Sequence, residues 1–359
     1  MDPGYPPPPQ AMLARMRAFA IAIAISTSAT AVPAQKPDFA AAAAFSEKNS
    51  GLAVLVYQKG KLIFERYQNG HKQDQPVHIF SGTKSFVPMV ALIAEKDGLL
   101  KLDEKVYKTI TEWKGDKLRE KITIRHLLNL TSGLKNNDKQ LHQGRAPDQY
   151  GASIACLCTS EPGTKFKYGS NHVLVFGELL KRKLQARQRK SSTHKTMPTD
   201  FVDYLKVRLL DRIDCRFDKW KRDKKGNPAL SLGAHMTARE WGKFGQLILN
   251  RGRHKSRQIV PSRHWDECFV GSKAKVDYGL NFWLLGIHSN QRHGPIPPGT
   301  VAAIGLHKQL LIVVHERHDG AILEHCIIEF LLALAFLFPF SLPFQGIKNI
   351  RMGQQQLHQ

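Results

Sequence analysis

Ser81 and Lys84 are two side chains whose spacing could create a nucleophile. Ser81 stands where a strand-like run through Phe80 gives way to an apolar helical segment, Val87–Lys96. A lysine three residues after a serine lies on the same helix face, so its amine can reach the hydroxyl. The unpaired amides and positive dipole end of a helix start also favour negative charge near Ser81. A serine with an adjacent amine and oriented amides can act as a nucleophile.

The Ser-x-x-Lys spacing is a weak signal by itself, because it occurs four times in this chain. The other three pairs are Ser132/Lys135, Ser192/Lys195 and Ser272/Lys275. They lie at a helix stop, in a basic polar run and in a loop. Only Ser81 begins a long apolar helix that could hold its lysine in a dry pocket. The alternative interpretation of Ser81 is a helix N-cap, with Lys84 exposed to solvent.

Tyr168 lies at a turn before a second apolar helix, Val173–Leu184. A phenol at such a turn is well placed to reach into a cleft. The alternative is a core tyrosine whose hydroxyl is satisfied by a neighbouring group. Tyr168 is therefore a candidate site residue whose position relative to Ser81 must be found from the fold.

The composition indicates a globular chain with an unusual charge. The 359 residues are 42% hydrophobic and 23% charged, and the formal net charge is +23. A chain of this length can bury a large core as one domain or as two interleaved ones. The positive charge is explained either by solubility or by attraction to anionic polymers such as those of a cell envelope. No recognition helix, zinc finger or aromatic RNA platform is present, so specific nucleic-acid binding is not expected.

Residues 1–34 have the pattern of a signal peptide. A basic residue at Arg15 precedes the short apolar run 18–25, and small residues follow up to Ala34. The apolar run is too short to span a bilayer, so no transmembrane span is predicted. Translation could start at Met1 or at Met12. We expect an exported protein, periplasmic or secreted.

Neither the cysteines nor the histidines form a metal-binding pattern. The five cysteines are an odd number and lack a Cys-x-x-Cys spacing, and the sixteen histidines lack His-Glu-x-x-His. Export would permit a disulfide, but the core is large enough not to need one. The sequence therefore predicts neither a metal nor a cofactor.

The order of elements predicts an α+β fold. Strand patterns occur at both ends, including a hairpin at 51–67, and the middle is mostly helical. We expect the first and last strands to share an antiparallel sheet flanked by helices, with Ser81 at the junction. The very apolar segment 327–338 predicts a buried closing helix. The predicted sheet domain is discontinuous and consists of residues 50–80 and 232–335. A mainly helical domain is inserted at 81–231, and residues 345–359 are predicted to be a disordered tail.

The motifs around these residues resemble those of a known superfamily. The chain resembles the serine β-lactamase and penicillin-binding-protein superfamily from about residue 50 to residue 335. Within it, the chain is similar to the class C β-lactamase-like branch, which includes esterases and 6-aminohexanoate-dimer hydrolases. Any one of these motifs is unspecific, but their order is specific. The resemblance is carried by the segments 80–86, 97–104, 124–134, 162–168 and 236–241.

This resemblance implies roles for individual residues. Ser81 would be the acylated nucleophile, Lys84 its amine partner, and Tyr168 the tyrosine that assists proton transfer. The family's Tyr-x-Asn motif has Ser170 in third place here, with Asn171 one position later. Both are candidates for substrate binding, although this departure puts the amide contact of the family in doubt.

The third motif of the family, Lys-Thr-Gly, aligns with Ala303-Ile304-Gly305. The lysine and threonine that hold a carboxylate in the family are absent. Gly305-Leu306-His307 instead resembles the Gly-Ile-His of the oligoamide hydrolases, so Gly305 and His307 are candidate substrate-binding residues. The backbone amides of Leu306 and Ser81 would then form the oxyanion hole.

These implications favour a serine hydrolase that forms an acyl-enzyme on an ester or amide, either a small molecule or a peptide-like substrate. One alternative is a penicillin-binding D,D-peptidase of the cell envelope. The other is a non-catalytic cationic protein of the same fold that binds anionic envelope polymers. Loops such as 135–160 and 285–300 would form the walls of the substrate pocket.

Overall fold

The computed structural model describes residues 38–142, 146–190, 198–288, 297–318 and 321–329. The predicted signal peptide and the predicted disordered tail lie outside these residues. The strands are β1 (Ala53–Gln58), β2 (Lys61–Tyr67), β3 (Val77–His78), β4 (Lys219–Trp220), β5 (Ala234–Met236), β6 (Arg253–His254), β7 (Arg257–Gln258), β8 (Trp283–Leu284), β9 (Val301–Gly305), β10 (Gln309–His318) and β11 (Ala321–Glu329). The α-helices are α1 (Phe39–Lys48), α2 (Phe86–Lys96), α3 (Ile124–Leu128), α4 (Asp138–His142), α5 (Gln149–Ile154), α6 (Asn171–Arg189), α7 (Phe201–Arg208) and α8 (Ala238–Leu249).

Six antiparallel strands form the main sheet in the order β2-β1-β11-β10-β9-β8. The first strands of the described chain therefore share a sheet with the last ones, which confirms the predicted α+β architecture. The first and last described strands must come together to complete this sheet, because β11 lies between β1 and β10.

The predicted closing helix is wrong where it can be compared with the structure. Ile327, Ile328 and Glu329 are the last residues of β11, and their partners in β1 are Val56, Leu55 and Val54. A short apolar run does not distinguish a central strand from a buried helix, since neither has a polar face. Residues 330–338 lie outside the described part of the chain.

Strand β1 is buried on both faces, which explains its uninterrupted apolar sequence. Ala53 and Leu55 belong to the main hydrophobic core between the sheet and the helices. Val54 and Val56 face a second, smaller core that is closed by α1. The sheet is therefore a middle layer, with most of the helices on one face and α1 on the other.

One hydrophobic core connects the sheet to the helical middle of the chain. It includes Leu55 of the sheet, Phe86 of α2, Leu127 of α3, Phe176 of α6 and Trp241 of α8. The separation of a helical domain at 81–231 from a sheet domain stays a prediction.

The helices of the described residues are all too short or too polar to span a membrane.

A second sheet has three short strands in the order β3-β5-β4. It lies immediately before Ser81 in the chain, since β3 ends at His78. The backbone amide of Ile79 donates to the carbonyl of Ala234 in β5, which ties the start of the Ser81 segment to this sheet. The small sheet therefore determines where the chain enters the turn that carries Ser81.

Gly82 lies against the indole of Trp241, and this contact leaves no space for a larger residue. A Cβ atom at Gly82 would be 2.6 Å from Cζ2 of Trp241, which is fully buried. Real Cβ atoms do not approach a ring so closely, so the indole or the turn would have to shift. The glycine after Ser81 is thus required by packing.

We predict that Gly82→Ala lowers the free energy of unfolding by about 1–3 kcal/mol, because it overpacks a filled core. Denaturant titration followed by circular dichroism measures this change. Ser85→Ala is the matched control, because it removes one hydrogen bond from the Ser85 hydroxyl to the Gly82 carbonyl (2.7 Å) in the same turn without adding volume. Equal stability of Gly82→Ala and the wild type would contradict the packing argument.

Candidate active site

Ser81 and Lys84 lie in a 3₁₀ turn, Phe80–Ser85, that leads into α2. The sequence predicted that Ser81 would open an α-helix, but the α-helical hydrogen bonding begins five residues later, at Phe86. In a 3₁₀ helix the side chains at positions i and i+3 eclipse each other. The turn therefore brings the amine of Lys84 closer to Ser81 than an α-helix would.

The Lys84 side chain is buried, with 3% of its surface exposed. Its Nζ donates to the Ser81 hydroxyl at 3.1 Å and to the backbone carbonyl of Ser231 at 2.9 Å. Within the described residues, no carboxylate forms an ion pair with it. The predicted alternative of an exposed lysine is thus wrong.

Phe80, the residue before Ser81, has a strained backbone. Its φ is +46°, a conformation that costs a bulky side chain about 1–3 kcal/mol. The Phe80 ring packs against the ring of His78, with centroids 3.8 Å apart, and against that of His307 at 5.2 Å. These contacts on both sides offset the strain and hold the sharp entry to the turn.

Tyr168 lies beside Lys84 in the structure. Nζ of Lys84 is 4.9 Å from the centroid of the Tyr168 ring. The ring stacks on the indole of Trp283 in β8 at 5.8 Å and meets Tyr278 edge-on at 6.1 Å. Ser81, Lys84 and Tyr168 are therefore neighbours, and an aromatic wall fixes the phenol.

Two side chains hold the segment that carries Tyr168 by binding its backbone carbonyls. Asn136 donates from its side chain to the Tyr168 carbonyl at 3.0 Å. The imidazole of His172 contacts the Lys167 carbonyl through Nε2 and the Ser132 hydroxyl through Nδ1, both at 2.9 Å. The Ser132 hydroxyl thus pairs with His172, whereas the Ser81 hydroxyl pairs with the lysine of its own Ser-x-x-Lys sequence.

The end of β9 lies against the start of the Ser81 turn. A Cβ atom at Gly305 would be 2.1 Å from the carbonyl oxygen of Ile79, so only glycine permits this approach. Leu306 and His307 follow in an exposed 3₁₀ turn, in which His307 has a φ of +56° and contacts Phe80. Leu306, the predicted oxyanion residue, thus directly follows the strand end that adjoins the Ser81 turn.

Ser170 and Asn171, the predicted substrate-binding residues of the second motif, are both buried. The Ser170 amide donates to the Asp138 carboxylate at 2.9 Å. The Asn171 side-chain amide donates to the Lys135 carbonyl at 2.5 Å and approaches the Cys156 sulfur at 3.2 Å. These contacts tie both residues to the segments that contain Lys135, Asp138 and Cys156. A contact of either residue with substrate stays a prediction.

The sequence did not reveal Ser231 or Trp283 as site residues. Ser231 contributes a backbone carbonyl, which any residue could provide, so its side-chain type carries no signal. Trp283 stands in a short apolar run that belongs to none of the motifs. Its place beside Tyr168 follows from the pairing of β8 with β9, in which Trp283 is opposite Ala302.

No metal site is formed by the described residues, which contain no group of three or more potential ligands from His, Cys, Asp and Glu. Four cysteines there are free thiols: Cys156, Cys158, Cys215 and Cys268. The chemistry available at this site is therefore that of a hydroxyl, an amine, a phenol and oriented backbone amides.

The buried His172 makes the stability of this region depend on pH. Burial lowers the pKa of His172 from its ordinary value of 6.5 to about 4. The unfolded chain then binds the extra proton first as the pH falls. His172 thus contributes stability that is complete above pH 6.5 and is lost between about pH 6.5 and pH 4.

We predict that His172→Gln loses less of its free energy of unfolding between pH 7.5 and pH 4 than the wild type does. The expected difference is about 3 kcal/mol, and the glutamine keeps a donor and an acceptor for Lys167 and Ser132. Urea titrations at several pH values measure the slope. Parallel curves for the two proteins would exclude His172 as the titrating group.

Comparison with known proteins identifies the family. The Beta-lactamase family profile matches residues 38–263, more than half of the chain. An uncharacterised protein of Alkalihalophilus pseudofirmus is 24% identical over 226 residues, which cover 59% of this chain and 62% of that protein. The chain thus matches less than two thirds of the length of this relative.

Solved structures share the fold. A protein from Bacillus anthracis described as a 6-aminohexanoate-dimer hydrolase has a TM-score of 0.62 at 18% identity, over 88% of this chain and 80% of that one. A D-stereospecific amidohydrolase from Streptomyces has a TM-score of 0.58 at 16% identity, over 82% and 94%. At such identities the likeness shows the fold alone. The match of the family profile, together with this fold, shows that the chain belongs to the Beta-lactamase family.

Proposed function

We propose that this protein is a serine hydrolase that cleaves an ester or amide through an acyl-enzyme on Ser81. The observation that carries the proposal is the hydrogen bond from the buried Lys84 amine to the Ser81 hydroxyl, at 3.1 Å. Ser81 itself is only half-buried, so a substrate can reach it. The hydrolase descriptions of the structural neighbours agree with this chemistry.

In the first step the Ser81 Oγ attacks the carbonyl carbon of the substrate. Its proton passes to Lys84, with the Tyr168 phenol beside the amine to share the charge, and then to the departing alcohol or amine. In the second step water attacks the ester on Ser81, and its proton restores the serine hydroxyl. One pair of groups thus acts as base and then as acid in both steps.

The negative oxygen that forms in each step needs donors. The proposed donors are the backbone amides of Ser81 and Leu306. The close approach of Gly305 to Ile79 supports this pairing, because it brings the β9 end to the turn. Removal of one such donor typically costs 10²–10³-fold in rate, about 3–4 kcal/mol.

The strand beside the site favours an esterase or amidase over a penicillin-binding peptidase. Ala303 and Ile304 stand on β9 where the family has a lysine and a threonine, and Ala303 is buried. This strand therefore offers no side-chain cation or hydroxyl at those positions to hold the carboxylate of a cell-wall peptide. Covalent labelling by fluorescent penicillin would reverse this preference.

We predict that Ser81→Ala abolishes hydrolysis of p-nitrophenyl acetate, with a fall in kcat of at least about 10³-fold. The chain provides a matched control in Ser272→Ala, which alters a second Ser-x-x-Lys pair at a loop. Ser272→Ala should keep the wild-type rate. Equal rates for the wild type and Ser81→Ala would rule out Ser81 as the nucleophile, and peptide mapping after fluorophosphonate labelling would locate the true one.

We also predict that Gly305→Ala lowers kcat/KM by about 10²–10³-fold, the value of one oxyanion donor. The added methyl group would overlap the Ile79 carbonyl and push the β9 end away from Ser81. Steady-state kinetics with p-nitrophenyl acetate measure the rate, and circular dichroism shows whether the fold is retained. A folded variant with the wild-type rate would remove Leu306 from the oxyanion hole.

A further inference from the structure

A row of basic side chains crosses the three-stranded sheet that precedes the Ser81 turn. Lys219 of β4 is the direct partner of His235 in β5, and His235 is the partner of His78 in β3. Direct cross-strand partners lie on one face of a sheet. The imidazole rings of His78 and His235 are stacked, with centroids 4.3 Å apart and planes 2° from parallel. Lys221 extends the row, since its Nζ is 3.5 Å from Nδ1 of His78.

The row ends at the candidate active site. The His78 ring packs on the ring of Phe80, the residue before Ser81. The same His78 ring binds the carbonyl of Leu232 through Nε2. Leu232 follows Ser231, whose carbonyl holds Lys84. The row thus contacts the residue before the proposed nucleophile, Phe80, and the residue after the lysine anchor, Leu232.

The two lysines of this row form no ion pair among the described residues. Lys219 and Lys221 are exposed, and neither forms an ion pair with a carboxylate of the described residues. Burial and the nearby charges of Lys221 and Lys219 together lower the pKa of His78 to about 4, against the opposing hydrogen bond to the Leu232 carbonyl. Burial and the same two lysines also lower the pKa of His235, against the opposing contact with the Gly233 carbonyl and the charge of Asp218. An anion beside the row would be attracted by both ammonium groups and would favour proton uptake by the imidazoles.

Strand β9 itself carries no cation at Ala303 and Ile304, the positions beside the site. The cations of the small sheet are therefore the candidates for orienting a charged substrate. Two exposed ammonium groups can attract an anion, while the stacked rings provide a flat surface for the atoms next to it.

We propose that Lys219, Lys221 and the stacked pair His78–His235 form a subsite for a carboxylate on the substrate that Ser81 attacks. The natural substrate would then be an ester or amide that also carries a negative charge, on its acyl part or on its leaving group. This inference rests on the proposed hydrolase function, but it concerns which substrate is selected and not how the bond is broken.

Two pairs of esters test the subsite, because each pair differs by one carboxylate. The acyl side is compared with p-nitrophenyl hexanoate and the mono-p-nitrophenyl ester of adipate. The leaving-group side is compared with phenyl acetate and para-acetoxybenzoate. In Lys219→Ala/Lys221→Ala, kcat/KM for the charged member of at least one pair should fall about tenfold at low salt, mostly through KM. The neutral members should keep their rates, and added salt should reduce the difference.

The matched control is Lys224→Ala/Lys225→Ala, which removes the same charge from two exposed lysines a few residues further along. It should leave every rate unchanged. The subsite is rejected if the charged-to-neutral ratio is the same in wild type and Lys219→Ala/Lys221→Ala for both pairs. An equal loss in the control variant also rejects it, because the effect would then be one of net charge.

Failure of the proposed function would appear differently, as a wild-type protein that turns over none of the four esters. The subsite can then be tested without turnover, by calorimetric binding of para-acetoxybenzoate to Ser81→Ala with and without the two lysines. Weaker binding after removal of Lys219 and Lys221 would support the subsite, and equal affinities would reject it.

Discussion

The candidate site depends on the Lys84 amine, which is buried and has no counter-ion among the described residues. Lys84 has 3% of its surface exposed, and its polar contacts among the described residues are a hydroxyl, a backbone carbonyl and the face of a tyrosine ring. Burial of an amino group is costly unless hydrogen bonds replace its water. Ser81 and the Ser231 carbonyl provide those bonds, so the groups that make the burial tolerable are also the ones that define the site. A carboxylate in their place would hold the lysine more strongly and would hinder the proton exchange with Ser81 that we propose.

The requirement for these partners explains why the fold joins distant parts of the chain. Lys84 and Ser231 are 147 residues apart in sequence. The 3₁₀ turn supplies Ser81 and Lys84, and the segment before α6 supplies Tyr168. The end of β9 adjoins the turn. Each of these pieces is fixed by its own packing: Gly82 against Trp241, Tyr168 against Trp283, and Gly305 against Ile79. Rigid support of this kind keeps reacting groups within the small distances that proton transfer needs.

Much of the arrangement could be predicted from the sequence, and the parts that could not have physical reasons. The order of strand and helix patterns was enough for the α+β class, and the order of motifs around Ser81 and Tyr168 was enough for the family. The second partner of Lys84, the Ser231 carbonyl, could not be predicted, because a backbone carbonyl leaves no trace in residue type. The 3₁₀ geometry of the turn was missed because 3₁₀ and α-helical segments have the same local composition. Ile327 and Ile328 were assigned to a helix because a short apolar run does not distinguish a central strand from a buried helix. The catalytic roles of Ser81, Lys84 and Tyr168 stay predictions until the variants are measured.

The position of β11 inside the main sheet has a consequence for biosynthesis. Strand β1 emerges early from the ribosome, but its neighbour β11 is made about 260 residues later, so one edge of β1 remains without its partner for most of translation. An apolar strand with an open edge can pair with the wrong chain. Such distant pairings also make folding slow. We therefore expect the newly made chain to need protection by a chaperone until β11 inserts between β1 and β10. Nascent chains that stop before β11 should aggregate.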